Sequence, residues 1–377
     1  MLRFFRRIAF AALLIAFAVA AQVDLQDERI LLTFIPNVQF APFYVGIEGG
    51  YFADVGFNVS LEHLQEPEVL DLVAVGQAKF GIVSGEQVIL ARARGRDVVY
   101  VFEWFQQYPV GLAYDDSRDL SELEDLRGLA IGIPGRFGAS YSGLTTLLQS
   151  AGLSEDDVDL REIGFNAPEV FCLGAVDAAI VYVNNEPLQM QNLASNGDCG
   201  DVAEIDVIAV AAHVDLVSNG LIVNRALLEG DPDEVARMVR GFAQALQAVI
   251  DNPAAAYLAS LKHVDSLRAD DSLLRVLQAA ASQQQEFAAS HPGRDAIALS
   301  RRQLARELAE QFGKELLTQM QVLLNTIELW DAENLGYSDL ESWDAMRDTL
   351  AAMGFLDDAA VHLPEAFTNI FIPGPVE

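Results

Sequence analysis

Short apolar segments alternate with amphipathic segments along the first half of the chain, and this alternation limits the possible folds more than any other feature. Strands are predicted at residues 30–34, 58–64, 80–83, 98–102, 130–133, 160–163 and 178–183. Helices are predicted between them at residues 68–76, 87–95, 142–150 and 168–174. Strands that alternate with helices favour mostly parallel sheets covered by helices. We therefore predict an α/β protein, with an almost wholly helical segment from residue 233 onward.

The length of the chain predicts two lobes, because 377 residues exceed the usual size of one hydrophobic core. A second strand–helix unit begins near residue 120, and strands return at residues 207–223. We assign residues 29–113 and 215–377 to lobe 1 and residues 114–214 to an inserted lobe 2. Crossings at residues 108–113 and 213–219 would form a double-strand hinge, and two hinged lobes enclose a cleft that closes over a ligand.

The N-terminus has the pattern of an export signal. Arg3, Arg6 and Arg7 precede an apolar run at residues 8–21 that contains the small-x-small motif of a cleavage site at residues 18–20. Fourteen residues span about 21 Å as a helix, against about 30 Å for a bilayer core. We predict a signal peptide at residues 1–20 and a periplasmic or cell-surface protein, and an uncleaved N-terminal anchor remains the alternative.

The strongly acidic composition argues against nucleic acid as a partner. The chain has 24 Lys and Arg against 55 Asp and Glu, a formal charge of −31, which repels phosphates. The five His residues lack ligand spacing, so we expect no metal site and no cofactor.

A small-molecule site is predicted beyond the first strand, because ligands of open α/β sheets bind at the carboxyl ends of strands. Asn37, Phe40 and Tyr44 are the candidates there, with both rings expected on one helical face. Helix capping by Asn37 and core packing of Phe40 are the alternatives. Ser84 and Glu86 follow a later strand and either face the same crevice or form a plain helix start.

Further candidates also follow strands. Trp104 and Phe105 are rings that could stack on a planar ligand or belong to the core. The remaining candidates are Gly138, Ser140 and Tyr141 in a glycine-containing loop, Asn166 as a weaker candidate, and Tyr182, Asn184 and Glu186. A carboxylate accepts two N–H bonds, which suits the edge of a nitrogen heterocycle, although Asn caps and Glu186-Pro187 also fit an ordinary helix start.

The chain contains two cysteines, Cys172 and Cys199. A disulfide is chemically permitted after export, but their spacing matches no signature. We expect two buried, independent thiols, with the disulfide as the alternative.

Several motifs in a fixed order resemble the NMT1/THI5-like solute-binding proteins. They are Asn37, Phe40-Ala41-Pro42, Tyr44, Gly50-Tyr51-Phe52, Gly76-Gln77-Ala78-Lys79-Phe80-Gly81-Ile82, Leu126-Arg127-Gly128, Gly138-Ala139-Ser140-Tyr141, Gly174-Ala175-Val176-Asp177 and Tyr182-Val183-Asn184-Asn185-Glu186-Pro187. The resemblance covers about residues 30–226. It implies a type 2 periplasmic-binding-protein-like fold and a monomeric protein that serves an ABC permease and its ATPase.

The resemblance implies an aromatic vitamin or precursor as ligand, and members of this group bind thiamine pyrimidine precursors or riboflavin. Riboflavin is favoured, because Trp104, Phe105, Tyr108 and Tyr182 could cover a tricycle. An aminopyrimidine precursor of thiamine is the alternative. Fungal relatives make the thiamine pyrimidine with a Cys-rich motif, a His and a cofactor, whereas this chain has only Cys172 near that region, so no enzyme activity is expected. A ligand-sensing ectodomain would need the uncleaved N-terminal helix.

Overall fold

The computed structural model describes residues 25–356 and 363–372, so the predicted signal peptide lies outside the described residues. The described residues form ten strands: β1 Gln26–Thr33, β2 Phe57–Leu64, β3 Phe80–Ser84, β4 Val98–Glu103, β5 Val110–Asp115, β6 Ala130–Ile133, β7 Asp159–Glu162, β8 Ala178–Tyr182, β9 Ile205–Ala209 and β10 Asn219–Asn224. They also form fourteen α-helices: α1 Ala41–Glu48, α2 Tyr51–Asp54, α3 Glu66–Ala74, α4 Gly85–Ala93, α5 Gly138–Ser150, α6 Ala167–Cys172, α7 Glu186–Asn196, α8 Arg225–Gly230, α9 Pro232–Asp251, α10 Pro253–Ser260, α11 Asp271–Ala288, α12 Arg294–Gln311, α13 Lys314–Trp330 and α14 Leu340–Ala352.

The strands form two five-stranded sheets with the same arrangement. The first has the order β2-β1-β3-β10-β4 and the second the order β7-β6-β8-β5-β9. In each sheet one strand, β10 or β5, runs antiparallel to its two neighbours, and the other strand pairs are parallel. Strands β3 and β4 are buried along their whole length, as expected for a sheet that is covered on both faces. The predicted α/β architecture with mostly parallel sheets is confirmed.

The first crossing between the lobes lies earlier in the chain than predicted, because β5 pairs in the second sheet. Residues Val110–Asp115 pair with β8 and β9 of the second sheet, whereas the sequence pattern assigned residues up to 113 to lobe 1. The predicted position is therefore wrong, and the crossing runs through residues 104–109. The error arises because β5 is as apolar as the preceding strands and nothing in its own sequence marks a change of sheet. The return crossing precedes β10, which pairs in the first sheet.

The C-terminal helices enlarge the lobe that contains the first sheet. One buried cluster joins β1, α1 and α9 to α10–α13, and it includes Phe43, Phe242 and Trp330. A second cluster runs along both crossings and includes Val110, Leu144 and Trp343 from α14. Helix α13 contacts both the turn Val38–Phe40 and helix α7 of the second lobe, so it lies beside the junction of the two lobes.

The two cysteines form a disulfide, Cys172–Cys199, and the expectation of independent thiols is wrong. Cys172 ends α6 and Cys199 follows the left-handed Gly197 that closes α7. Adjacent helices bring the two side chains together, and a spacing of 27 residues does not reveal this. Within the part of the chain that the structure covers, no helix is both long enough and apolar enough to span a bilayer.

Candidate functional site

A cavity lies between the two sheets, where the carboxyl ends of their parallel strands face each other. Its empty volume is about 860 Å³, which includes open solvent at its mouth. The lobe 1 side is lined by Thr33, Phe34, Gln39, Phe40, Glu66, Trp104, Phe105 and Asn219. The lobe 2 side is lined by Pro134, Phe137, Gly138, Ala139, Ser140, Gly164, Phe165, Ala167, Ile180, Val181, Tyr182 and Glu186.

Aromatic rings form one wall of the cavity. The Trp104 indole lies 5.6 Å from the ring of Phe40 and 4.8 Å from that of Phe105, and Tyr182 meets Phe105 edge-on at 6.1 Å. The backbone N–H groups of Trp104 and Phe105 donate to the carbonyl of Asn219, which fixes the segment that follows β4. Behind the wall, Trp330 of α13 stacks on Trp104 at 5.6 Å. Packing against one another and against Trp330 therefore holds these rings in place.

Two phenylalanines from opposite lobes meet at the cavity. Phe34 follows β1 and Phe165 follows β7, and their rings make an edge contact at 4.8 Å. Phe34 has a φ of 65°, a left-handed conformation that is uncommon for an aromatic residue. Such backbone strain is retained where the surroundings impose it, often at ligand sites.

Glu66 and Glu86 form a buried acid pair beside the cavity. Glu66 starts α3, and its Oε1 accepts a hydrogen bond from the Ser84 backbone N–H at 2.6 Å. The Ser84 hydroxyl lies within hydrogen-bond distance of a carboxyl oxygen of each acid. Burial raises the pKa of Glu66, and burial together with the charge of Glu66 raises the pKa of Glu86 to about 8. One hydroxyl hydrogen cannot serve two carboxylates, so at neutral pH a protonated Glu86 donates to Ser84, which donates to Glu66.

Glu186, the second acid that lines the cavity, is bound within its own segment. Its Oε2 accepts from the Tyr182 backbone N–H at 2.8 Å and its Oε1 accepts from the Asn185 amide at 2.9 Å. Burial raises the pKa of Glu186 to about 7. The Tyr182 hydroxyl donates to Oδ1 of Asn219 at 2.7 Å, which joins the two lobes across the base of the site.

Asn184 makes a second polar connection between the lobes. Its buried amide lies 2.7 Å from Oε1 of Gln39 and 2.7 Å from Oγ1 of Thr326 on α13, and it donates to both. Thr326 and Trp330 are four residues apart and therefore share a face of α13. The same face of this helix thus supports both the aromatic wall and the contact between the lobes.

The structure brings half of the sequence-predicted candidates to the cavity. Those that line it are Phe40, Trp104, Phe105, Gly138, Ser140, Tyr182 and Glu186. Gly138 has a φ of 68°, and any side chain at this position would overlap the Glu66 carboxylate, which explains the need for glycine.

The candidates near the first strand divide between the cavity and the core. Asn37 caps the turn Val38–Phe40 by accepting from the Gln39 N–H, as in the alternative given above. Tyr44 is buried in lobe 1 against His263 and does not line the cavity. The expected common face fails because Phe40 belongs to the 3-10 turn, and only Tyr44 lies in α1.

The other candidates that do not line the cavity have local partners. Ser84 and Glu86 lie behind Glu66, and Asn184 holds Gln39 and Thr326. The Tyr141 hydroxyl donates to Glu155 and its ring packs on Phe355. Asn166 is exposed next to the start of α6.

Sequence reasoning missed Glu66, although its signal was present. Glu66-Pro67 follows β2 at a helix start in the same way that Glu186-Pro187 follows β8. Gln39, Phe165 and Asn219 carried weaker signals, since polar and aromatic residues at strand ends are common. Thr326 and Trp330 had no signal, because the helix that carries them is remote in sequence.

The cavity has acids and rings but no cation. Among the described residues, those that line it include no Lys, Arg or His. Nor do the described His, Cys, Asp and Glu side chains include a group of three or more that could hold a metal ion. The exposed Arg136 is paired with Glu155 and Glu162 on the protein surface. The arrangement suits a neutral planar ligand with hydrogen-bond donors.

The family model described as NMT1/THI5 like matches residues 37–256, which include most residues of the cavity. The chain belongs to the NMT1/THI5-like family. This assignment agrees with the resemblance carried by the motifs of the sequence.

Three relatives are similar to this chain over more than half of its length. The riboflavin-binding protein RibY of Chloroflexus aurantiacus is 31% identical over 94% of this chain and 88% of its own length. The formylaminopyrimidine-binding protein of Halalkalibacterium halodurans is 27% identical over 61% of this chain and 68% of its own length. A 4-amino-5-hydroxymethyl-2-methylpyrimidine phosphate synthase of Aspergillus parasiticus is 27% identical over 60% of this chain and 68% of its own length.

Solved structures share the fold. The alkanesulfonate-binding protein SsuA of Xanthomonas axonopodis pv. citri, bound to MOPS, aligns with a TM-score of 0.57 at 15% identity over 91% of this chain and 98% of its own. The chain thus combines membership of the NMT1/THI5-like family with a fold that solved solute-binding proteins share.

Proposed function

We propose that this protein binds riboflavin in the cleft between its lobes, outside the cytoplasm, and delivers it to an ABC permease and its ATPase. The observation that carries the proposal is the wall of Phe40, Trp104, Phe105 and Tyr182, which lines a cavity that also contains the carboxyl groups of Glu66 and Glu186. Offset stacking on such rings contributes about 0.5–1.5 kcal/mol beyond the burial of area.

The polar groups of the cavity favour a neutral flavin over a phosphorylated one. A carboxylate accepts N–H and O–H donors, which riboflavin carries on its imide and on its ribityl chain. A phosphate would be repelled by Glu66 and Glu186, and no cation among the described lining residues would balance it. The free vitamin is therefore the expected ligand.

The extent of similarity also supports riboflavin. The match to the riboflavin-binding relative spans 94% of this chain, whereas the match to the formylaminopyrimidine-binding relative spans 61%. The longer match takes in the C-terminal helices. Helix α13, which backs the aromatic wall through Trp330, lies outside the family-model region 37–256.

A thiamine pyrimidine precursor is the second candidate. The observation that favours it is the pair of acids at the cavity, since a carboxylate is a good acceptor for the amino group of an aminopyrimidine. A single small ring would fill less of the aromatic wall than a tricycle.

We propose that the protein is not an enzyme, although some relatives carry the name of a pyrimidine phosphate synthase. The residues of the cavity support this view, because within the described chain they include no Cys, His or Lys. Both cysteines are joined in a disulfide that lies in a separate small cluster of lobe 2. Incubation with pyridoxal phosphate should yield no pyrimidine product.

We propose that the protein is exported and acts as a monomer. The signal sequence and the disulfide support export. The mass of the mature N-terminus separates a cleaved binding protein from one that is anchored by an uncleaved segment 1–20, as a sensing ectodomain would be.

Titration of ligand-free protein with riboflavin, followed by flavin fluorescence, tests the proposal. We expect saturable one-to-one quenching and no competition by hydroxymethylpyrimidine. Tight pyrimidine binding without flavin binding would replace riboflavin by the second candidate.

A further inference from the structure

We infer that Glu66 is the hydrogen-bond acceptor for an uncharged donor group of the bound ligand, through its Oε2 oxygen. This inference rests on the proposed function, and it names a chemical requirement of the site: the ligand must present an O–H or N–H group to lobe 1 beside Gly138. Glu66 was not among the residues singled out from the sequence.

The hydrogen bonds of Glu66 leave one oxygen free. Oε1 accepts from the backbone N–H and the hydroxyl of Ser84. Among the described residues, no donor lies within hydrogen-bond distance of Oε2, although the side chain is only 7% exposed and lines the cavity. Oε2 is open to the cavity, so a ligand donor that reaches it forms a hydrogen bond to a charged acceptor and gains affinity there.

A comparison with Glu186 explains why we assign the role of ligand acceptor to Glu66. Both acids line the cavity, but each oxygen of Glu186 already accepts a hydrogen bond from its own segment. Glu66 therefore has an oxygen without a hydrogen-bond partner among the described residues that can accept from a ligand, whereas both oxygens of Glu186 already have partners.

The Ser84–Glu86 pair keeps Glu66 in its accepting form. The Ser84 hydroxyl points its hydrogen to Glu66 when Glu86 holds a proton. Burial raises the pKa of both acids, but two hydrogen bonds from Ser84 lower the pKa of Glu66, and the charge of Glu66 further raises that of Glu86, so the proton is favoured on Glu86. Glu66 then accepts at both oxygens and donates from neither. A ligand acceptor such as a phosphate or a ring carbonyl would be rejected at this position.

Glu66→Gln is the discriminating substitution. The amide carbonyl keeps the two bonds from Ser84, and the amide N–H turns into the cavity in place of the acceptor oxygen. Glu103→Gln is the matched control, because Glu103 is also 7% exposed and binds a serine hydroxyl, that of Ser338, but does not line the cavity. We expect E66Q to weaken riboflavin binding at least about tenfold, and E103Q to bind as the unmodified protein does.

Ligand analogues identify the donor group. Lumiflavin lacks the ribityl hydroxyls, and 3-methylriboflavin lacks the imide N–H. If Glu66 accepts from a ribityl hydroxyl, the loss caused by E66Q should vanish with lumiflavin. If it accepts from the imide, the loss should vanish with 3-methylriboflavin.

Two results would overturn the inference while leaving the proposed function intact. One is riboflavin binding by E66Q that equals that of the unmodified protein, and the other is an equal loss for riboflavin and both analogues. If circular dichroism shows that E66Q does not fold, E66D replaces it, because the shorter side chain moves the carboxylate back by one methylene. The loss of affinity in E66D must then also vanish with one of the two analogues. Failure of the unmodified protein to bind riboflavin would instead remove the proposed function itself.

Discussion

The two lobes face the cleft with different kinds of surface. Lobe 1 presents Phe40, Trp104 and Phe105, which are nearly fully buried and packed from behind by a large core. Lobe 2 presents loops and helix starts such as Gly138 and Gly164. Helix α5, which Gly138 starts, packs into the second large cluster, and α6 packs into a small cluster that contains the disulfide. We propose from this difference that lobe 1 supplies the platform for the ligand and lobe 2 the cover.

The largest expected effect comes from removing the platform. Trp104→Ala should lower the free energy of unfolding by about 3–5 kcal/mol and abolish measurable riboflavin binding, because it leaves a cavity and removes the stacking surface. Chemical denaturation and fluorescence titration measure both. If W104A bound riboflavin like the unmodified protein, the platform would not be the ligand surface.

The disulfide should matter for the stability of lobe 2 and not for binding. Replacing both Cys172 and Cys199 by Ala opens a loop of 27 residues and should cost about 3 kcal/mol. At low temperature, riboflavin affinity should be retained, because neither residue lines the cavity. An unchanged midpoint of thermal unfolding would show that the small cluster of lobe 2 is stable by itself.

The contact between the lobes should have an intermediate effect. Asn184→Ala removes the donors to Gln39 and Thr326, so we expect about 1–2 kcal/mol loss of affinity, through faster ligand release. Asn192→Ala is the control, since Asn192 of α7 also contacts α13, through Thr318, but makes no hydrogen bond to Gln39. Equal rates of ligand release from N184A and N192A, measured by stopped flow, would show that Asn184 has no special role in retaining the ligand.

Buried acids should make the ligand-free protein less stable as the pH rises. Burial raises the pKa of Glu86 and of Glu103 to about 8, so the folded chain holds protons that the unfolded chain releases above its carboxyl pKa of 4.5. The free energy of unfolding should therefore fall between about pH 5 and pH 8, by up to about 1.4 kcal/mol per pH unit for each such group. E103Q should flatten this dependence, and a steeper dependence in that variant would contradict the raised pKa of Glu103.

The comparison of the lobes also explains what the sequence could predict. Strand periodicity located the sheets and placed Trp104, Tyr182 and Glu186 at strand ends, because strand ends meet at one edge of a sheet. It failed for β5, whose apolar pattern fits either sheet, and for the two cysteines, whose pairing depends on how α6 and α7 pack. Thr326 and Trp330 required the tertiary structure, since a helical residue far along the chain carries no mark of the strand it supports.

A crystal structure of the protein with riboflavin tests the central claim most directly. We predict that the isoalloxazine ring lies between the lobes, stacked on the Phe40–Trp104–Phe105 wall, with a hydroxyl or imide group at Oε2 of Glu66. A flavin bound on the outer surface of either lobe, with the cavity between the sheets empty, would contradict the account.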